Sequence, residues 1–322
     1  MINTKKKSIG ITLGDPFGVG SEIVAKSMNF LNKKKIPLKF KLIGNKKAFL
    51  RSCKICKINP ELENIEEFID LGSKIKSFSN NASKIGGEIS YNAICTGAEL
   101  YKKKKIQAIV TAPISKEALH LAGYYYDGHT GLLSHLFEAN NPYLMLANKR
   151  FSTIHTTCHL PLKDAINQIK KDLVFDVIKK GFYHFKKINK KGPRIGVCGL
   201  NPHAGENNIL GLEESKEIIP AIIEAKNMGV NVKGPISSDI IFREAVAGKF
   251  DLIVAHYHDQ GHIPVKLIYF DQSVNVTLGV PFVRTSVDHG TAYDIAFKNK
   301  ASPLNMLSAI FYAVKMSNLK NY

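Results

Sequence analysis

The chain has 322 residues, 44% of them hydrophobic and 22% charged, with a formal net charge of +18. Such a length favours two domains, and such a composition is ordinary for a soluble globular protein. No apolar run approaches the roughly 20 residues that span a bilayer, and the Lys excess is scattered, with Arg confined to Arg51, Arg150, Arg194, Arg243 and Arg284, so the charge reads as a solvated surface rather than a nucleic-acid footprint.

The basic N-terminus, Met1 to Lys7, leads straight into Ser8 to Gly14 and then Asp15. That run is too short and too Gly-rich for a signal peptide and predicts a strand in a cytoplasmic protein. The five cysteines, an odd number, predict no structural disulfide. Cys53-Lys54-Ile55-Cys56 has CxxC spacing without a second pair, and reads as incidental thiols at a helix end rather than a zinc site.

The strand Ile9 to Leu13 runs into Gly14-Asp15-Pro16-Phe17-Gly18-Val19-Gly20-Ser21-Glu22 and a helix. The spacing is not the dinucleotide fingerprint, so the turn is either an anion cradle or a tight β-α turn that needs Gly. A strand at Leu38 to Ile43, a helix near Asn45 to Arg51 and a weakly patterned region to about Gly87 come next. A helix from about Tyr91 to Lys104 then precedes the strand Ile106 to Val110 and a polar turn, Thr111 to Lys116. His129 and Thr130 open an amphipathic helix, where Thr130 serves either as an N-cap or as a grip on phosphate or carboxylate.

Strand-like segments Pro142 to Ala147 and Phe151 to Thr157 end at Cys158-His159-Leu160-Pro161-Leu162, and a Lys-rich helix follows from Lys163 to about Ile188. The strand Arg194 to Leu200 ends in Asn201-Pro202-His203-Ala204-Gly205-Glu206. A helix, Glu213 to Met228, a strand, Asn231 to Lys233, and a short helix opened by Ser237-Ser238-Asp239 come next. The apolar strand Asp251 to Val254 then reaches the loop-like Ala255-His256-Tyr257-His258-Asp259-Gln260-Gly261-His262. Thus three predicted strands each end in a loop carrying a histidine: His159, His203 and His258. Open α/β sheets place ligands at the carboxyl ends of strands, and three neutral imidazoles suit a catalytic divalent metal such as zinc. Lys266, Asn275 and Arg284 follow at the ends of short β-type runs, either as grips for an acidic phosphorylated molecule or as solvated surface groups. Ser286 to Asp294 is expected to open a helix, and Pro303-Leu304-Asn305 the last one.

Seven blocks occur in order: Leu13-Gly14-Asp15-Pro16, Thr111-Ala112-Pro113-Ile114, Gly128-His129-Thr130, His159-Leu160-Pro161-Leu162, Asn201 to Glu206, Tyr257-His258-Asp259-Gln260-Gly261 and Pro281 to Ala292. On these the sequence resembles the 4-hydroxythreonine-4-phosphate dehydrogenase family of the pyridoxal phosphate pathway, from Leu13 nearly to the C-terminus. The resemblance implies an α/β fold of two α/β/α sandwich domains with a cleft between them, like isocitrate and isopropylmalate dehydrogenases. One domain would comprise residues 1–140 plus 286–322 on the cofactor side, the other 141–285.

The resemblance further implies that His159, His203 and His258 bind one divalent ion, zinc or else magnesium or cobalt. His129, Thr130, Lys266, Asn275 and Arg284 would contact substrate. Asp239, contributed by the partner of a homodimer, and Lys266 would be catalytic. His289, Gly290, Thr291 and Asn305 would border NAD or NADP. The implied reaction is oxidation and decarboxylation of 4-phosphooxy-L-threonine to 3-amino-2-oxopropyl phosphate in pyridoxine 5'-phosphate synthesis. A related dehydrogenase of another phosphorylated four-carbon hydroxy acid, of threonate or erythronate type, is the alternative, and a basic nucleic-acid-binding protein a lesser one. Neither a nucleic acid nor a membrane is an expected partner. Two departures stand out: Gly20-Ser21-Glu22, where the family usually has Gly-Pro-Glu, and Gly131, where it usually has an acidic residue.

Overall fold

The structure, a computed structural model, describes residues 8–72, 75–189 and 192–317. The basic stretches Met1 to Lys7 and Lys190-Lys191 lie outside the described residues. The chain divides into two compact units, Met1–Pro142 with Val280–Tyr322, and Tyr143–Gly279.

The first unit opens with β1 (Ser8–Thr12), α1 (Gly20–Lys33), β2 (Lys39–Gly44), α2 (Lys46–Ile55), β3 (Ile65–Asp70), α3 (Lys84–Lys102), β4 (Ile109–Thr111), α4 (Lys116–Leu121) and α5 (His129–Leu136). The second unit holds β5 (Tyr143–Ala147), β6 (Ser152–His155), α6 (Leu162–Gln168), α7 (Lys171–Asn189), β7 (Ile195–Cys198), α8 (Ile219–Asn227), β8 (Val232–Ile236), α9 (Ser238–Val246), β9 (Leu252–Ala255), α10 (His258–Tyr269) and β10 (Val274–Leu278). The chain returns to the first unit with β11 (Arg284–Val287) and α11 (Leu304–Met316).

In the first unit the strands run β3-β2-β1-β4-β11, all parallel. Side chains alternate across a strand, and the register gives each face a role. Gly10, Thr12, Ile109, Thr111, Arg284 and Ser286 share one face through the pairs Gly10↔Ile109, Thr12↔Thr111, Arg284↔Ile109 and Ser286↔Thr111. α3 and α5 cover that face, with Ile94, Ala98, Ile109, Leu132, Leu133 and Phe282 in one apolar cluster. Thr285 points the other way and its hydroxyl donates to the Ala309 carbonyl of α11. Arg284 is therefore inward by register, beneath α3 and α5.

The second unit is a mixed sheet, β10-β5-β6-β9-β7-β8, antiparallel across β10/β5 and β5/β6 and parallel thereafter. α7 packs on the Ile154 and Leu252 face, where Gly181 makes room for the Leu252 side chain. α9 and α10 pack on the opposite face, with Ile241, Phe242, Ala245, Phe250, Ile253, Ala255 and Val265 in one buried cluster. Helices on both sides of a sheet make its central strands apolar, as the runs Leu252-Ile253-Val254-Ala255 and Ile195 to Cys198 are.

Several local expectations differ from what the chain adopts. The weakly patterned middle holds β3, whose mixed exposure hid its period. The Lys-rich helix breaks at Ile169-Lys170 into α6 and α7. Ser286 to Asp294 opens no helix: β11 runs to Val287, and a single 3-10 turn follows at Tyr293–Ile295. The stretch from His258 onward is helix, not loop; Gly261 and Pro264 lie inside α10, and Pro264, in its second turn, removes one N–H from the helical ladder. No described helix is long and apolar enough to cross a membrane.

Candidate metal centre and anion site

β6 and β9 are parallel neighbours and end together, so the residues that follow them are neighbours too. Past β6 the chain is tied down by Thr156 and Thr157, whose hydroxyls donate to the Ala255 and His256 carbonyls. Cys158 and His159 come next. Past β9, His256 is buried and spans to β7 by donating from Nε2 to the Cys198 carbonyl at 2.8 Å. Gln260 completes the tie: its carbonyl accepts from the His256 amide at 2.6 Å and its amide donates to the Gly199 carbonyl at 2.7 Å.

His258 is the first residue of α10, and His262 stands one turn above it, the spacing that brings side chains together on a helix. Their rings stack at 3.7 Å with an interplanar angle of 11°. Gly261 lets α10 lie close to β6, since a Cβ there would meet His155 Nε2 at 2.3 Å. His155 in turn faces α10 because it is two residues beyond Thr153 on the same side of β6.

Two sets of donor atoms result. Those of Cys158, His159 and His258 all lie within 4.8 Å of one another, and so do those of His155, Cys158 and His262. The hydrogen bonds settle the tautomers. His258 Nδ1 donates to the Asp259 carboxylate at 2.7 Å, so Nε2 is the nitrogen that a metal ion would take. A carboxylate behind an imidazole is the usual support of a metal-binding histidine. His155 Nδ1 donates to the Leu144 carbonyl, so its Nε2 accepts from His262 Nδ1 at 3.1 Å. Burial pushes the His155 imidazole down to about 4 and that of His262 to about 2, the latter helped by His155, His258 and Lys266. Both are uncharged at neutral pH. A thiol and neutral imidazoles are the donors that borderline cations such as zinc take, so these residues fit a divalent ion.

Of the three histidines singled out in the sequence, the fold brings His159 and His258 together, ring centroids 5.8 Å apart. His203 belongs to neither donor set among the described residues. It is exposed, on a turn from Pro202 to Asn208 in which residues 203–207 all have positive φ, between 40° and 82°. That unusual backbone is anchored by Glu214, whose carboxylate accepts from the Leu200 and Asn201 amides at 2.8 and 2.7 Å. Asp239 sits exposed in the first turn of α9, its carboxyl held low by the Ser237 hydroxyl at 2.5 Å and, more weakly, by His203. Lys266 lies on α10 two turns past His258, on the same face as His262, rather than at a strand end. Asn275 is mid-strand in β10, opposite Leu146.

In the first unit, Arg284 is buried, and its Nη2 and Nε donate to the Thr111 hydroxyl at 3.0 and 3.3 Å. Burial lowers its guanidinium to about 9, still cationic at neutral pH. His129 opens α5; burial, and then the Arg284 charge, hold its imidazole well below 6.5, while a bond to the Ala112 carbonyl works against them. Its Nε2 is shielded from water and has no hydrogen-bond partner among the described residues. A buried cation and a helix N-terminus at Gly128–His129 form an anion-binding arrangement, while His129 Nε2, an acceptor in the neutral ring, would be satisfied by a hydroxyl of the bound molecule. Thr130 stands half-buried in the same first helical turn.

His289, Gly290 and Thr291 lie between β11 and the 3-10 turn. Thr291 accepts from the Val19 amide at 2.9 Å, and the Tyr293 hydroxyl donates to Asp15 at 2.7 Å, so this segment is fixed to the Gly-rich turn after β1. That turn is thus a packing turn: Gly18 is needed because a Cβ would meet the Thr291 carbonyl at 2.8 Å. Asn305 accepts from the Asp288 amide at 2.9 Å and braces the same segment from α11. Gly290 faces open space.

The sequence marks the stretch holding Asp259 and His262 without giving either a role, and it does not single out Cys158 or His155. A Cys directly before the first strand-end His, and a His four residues after another, were the signals. Cys53 and Cys56 lie on and at the end of α2, and burial pushes the Cys53 thiol up to about 12, as expected of incidental thiols.

Comparison with known proteins adds the following. The family profile for "Pyridoxal phosphate biosynthetic protein PdxA" matches residues 17–313. A putative D-threonate 4-phosphate dehydrogenase of Oceanobacillus iheyensis is 40% identical, over 98% of this chain and 100% of its own. A 4-hydroxythreonine-4-phosphate dehydrogenase of Geobacter metallireducens is 38% identical over 99% and 98%. The crystal structure of a 4-hydroxythreonine-4-phosphate dehydrogenase from Klebsiella pneumoniae superposes with a TM-score of 0.85 at 34% identity, covering 98% of this chain and 99% of that one. A β-decarboxylating dehydrogenase from Thermococcus kodakarensis, at 14% identity and a TM-score of 0.53, shares the fold alone, over 95% of this chain and 82% of its own. The fold is therefore the mixed α/β one of isocitrate and isopropylmalate dehydrogenases.

Proposed function

The chain belongs to the PdxA family of oxidoreductases, and on that premise we propose that it oxidises and decarboxylates a 4-phosphorylated 3-hydroxy four-carbon acid, with NAD or NADP and one divalent ion. The carrying observation is the grouping of Cys158, His159 and His258 donor atoms, with His258 oriented by Asp259. His203 is proposed to join them when its turn moves. When bound, the cation supplies positive charge at the oxygen being oxidised and the nicotinamide takes the hydride.

The rest is the work of side chains. Arg284, His129, Thr130 and the α5 N-terminus hold an anionic end of the substrate, with Lys266 and Asn275 as further polar contacts. Asp239 of the partner subunit accepts the hydroxyl proton. The resulting 3-keto acid loses CO₂ through its own electron pair, and Lys266 returns a proton to the carbon left behind. His289, Gly290, Thr291 and Asn305 are assigned to the cofactor, in a segment already braced against β1 and α11. The partner is assigned as a second copy in a homodimer; α10 and the turn after it expose Ile263, Leu267, Ile268 and Phe270, an apolar surface of the kind that marks an interface.

Two acids fit this description and differ at C2 alone, a hydroxyl in D-threonate 4-phosphate and an ammonium in 4-phosphooxy-L-threonine. We favour the former. His155 and His262 are uncharged, Lys266 adds positive potential at His262, and the nearby carboxylate of α10, Asp259, is engaged by His258. Such surroundings accept a hydroxyl and disfavour a second ammonium. The names carried by the Geobacter and Klebsiella relatives favour the latter acid. The test is NADH formation and CO₂ release with each acid, with zinc, cobalt or magnesium added to metal-stripped protein. D-threonate 4-phosphate should give the larger kcat/KM; turnover of neither acid would overturn the assignment.

A further inference from the structure

The proposed reaction gives Cys158 no chemical step, yet its sulfur is common to both donor sets. We infer that Cys158 is a thiolate ligand of the divalent ion, making the centre a mixed His–Cys site selective for zinc-like cations over magnesium. This rests on the reading that the cluster is the cation site, and goes beyond it in naming a ligand and the class of metal.

Thr156 and Thr157 pin the chain to residues 255 and 256, which fixes Cys158 beside the start of α10 rather than leaving it on a free loop. Its Sγ, a His159 nitrogen and a His258 nitrogen all lie within 4.8 Å of one another. Around a tetrahedral ion with bonds of about 2.0–2.3 Å, ligand atoms stand roughly 3.3–3.7 Å apart. Small side-chain rotations close that difference. His258 already presents the correct tautomer, since Asp259 holds the other nitrogen's proton.

On binding, the Cys158 S–H bond breaks, the proton leaves to solvent, and the sulfur lone pair forms the bond to the cation; no electron is transferred. A thiolate prefers Zn²⁺ or Co²⁺, whereas Mg²⁺ takes oxygen donors. His155 and His262, hydrogen-bonded to each other on the other side of the sulfur, would steady it and bind no ion themselves.

The test is a Co²⁺ titration of metal-stripped full-length protein, without substrate or cofactor, followed by absorption. The expected result is a near-ultraviolet sulfur-to-cobalt charge-transfer band that is absent from Cys158→Ser and unchanged in Cys95→Ser, a thiol on α3. Zinc affinity of Cys158→Ser should fall at least by the roughly ten- to hundredfold that loss of even a supporting contact costs. A second measurement needs no variant: saturating zinc should slow alkylation of Cys158 by iodoacetamide in the native protein, read by peptide mapping. Cobalt binding without the band, or a Cys158 alkylated equally fast with and without zinc, overturns the inference. The band without turnover of either acid leaves the ligand assignment standing and removes the proposed reaction; turnover without the band does the reverse.

Discussion

At the scale of single residues, the eight-residue stretch from Ala255 to His262 divides its labour. His256 is structural, buried between β9 and β7. His258 presents a lone pair, Asp259 orients it, Gln260 ties two strand ends, and His262 stacks above. Asp259→Asn keeps the shape and weakens the orienting charge, so zinc affinity should drop by roughly ten- to a hundredfold in chelator competition. Arg284→Lys keeps a charge but loses the planar fork. With Thr111 and a buried site built for a guanidinium, kcat/KM for the phosphorylated acid should fall on the order of a hundredfold, about 3 kcal/mol, chiefly through KM. Burial holds His155 and His256 at about 4 against an ordinary 6.5. Above pH 6.5 both are neutral folded and unfolded, and their contribution to stability is complete. As pH falls from 6.5 toward 4 the unfolded chain binds protons that the folded one refuses, so stability is lost across that window, by about 1.4 kcal/mol per pH unit for each ring. Urea midpoints should be lower at pH 5 than at pH 7, and His256→Gln should flatten the slope.

At the scale of elements, the candidate metal centre depends on how α10 meets β6. Gly261 permits that approach, and a methyl group at 261 would meet His155 Nε2 at 2.3 Å. His155 is fully buried, so it cannot swing aside. Gly261→Ala should cost about 1–3 kcal/mol in thermal or urea unfolding, the range for overpacking, and should weaken metal binding by tilting His258. Periodicity read this stretch as loop because Gly and Pro punctuate it. The helix forms nonetheless, since Val265 and its neighbours complete the cluster built by β9 and α9. The Gly-rich turn after β1 gives the converse case. Its sequence left open an anion cradle or a packing turn, and the contact of Gly18 with Thr291 decides for packing.

At the scale of the whole molecule, the proposed assembly is a dimer in which Asp239 serves the partner's site. Leu267 is 81% exposed and Phe270 64%, values that a lone chain in water has little reason to keep on one helix end. Leu267→Glu should shift sedimentation toward the monomer and lower turnover together. Mixing Asp239→Ala with His258→Ala chains should restore about a quarter of native activity, because half the dimers formed would carry one intact site out of two. No recovery on mixing would place Asp239 in its own chain's chemistry.

Much of this protein was legible in one dimension. Strand-helix alternation with apolar strands gave the α/β class, and ordered polar blocks at strand ends gave the family, because both depend on local spacing and residue type. The pairing of β6 with β9 could not be read that way, and it is what makes Cys158 and His159 neighbours of His258. Nor could the inward register of Arg284, the unsatisfied nitrogen of His129, or the positive-φ turn that holds His203 outside the donor sets. Those depend on which strand lies beside which and on which face a helix covers. Such choices are set by packing across the whole sheet, where residues a hundred positions apart compete for the same few ångströms.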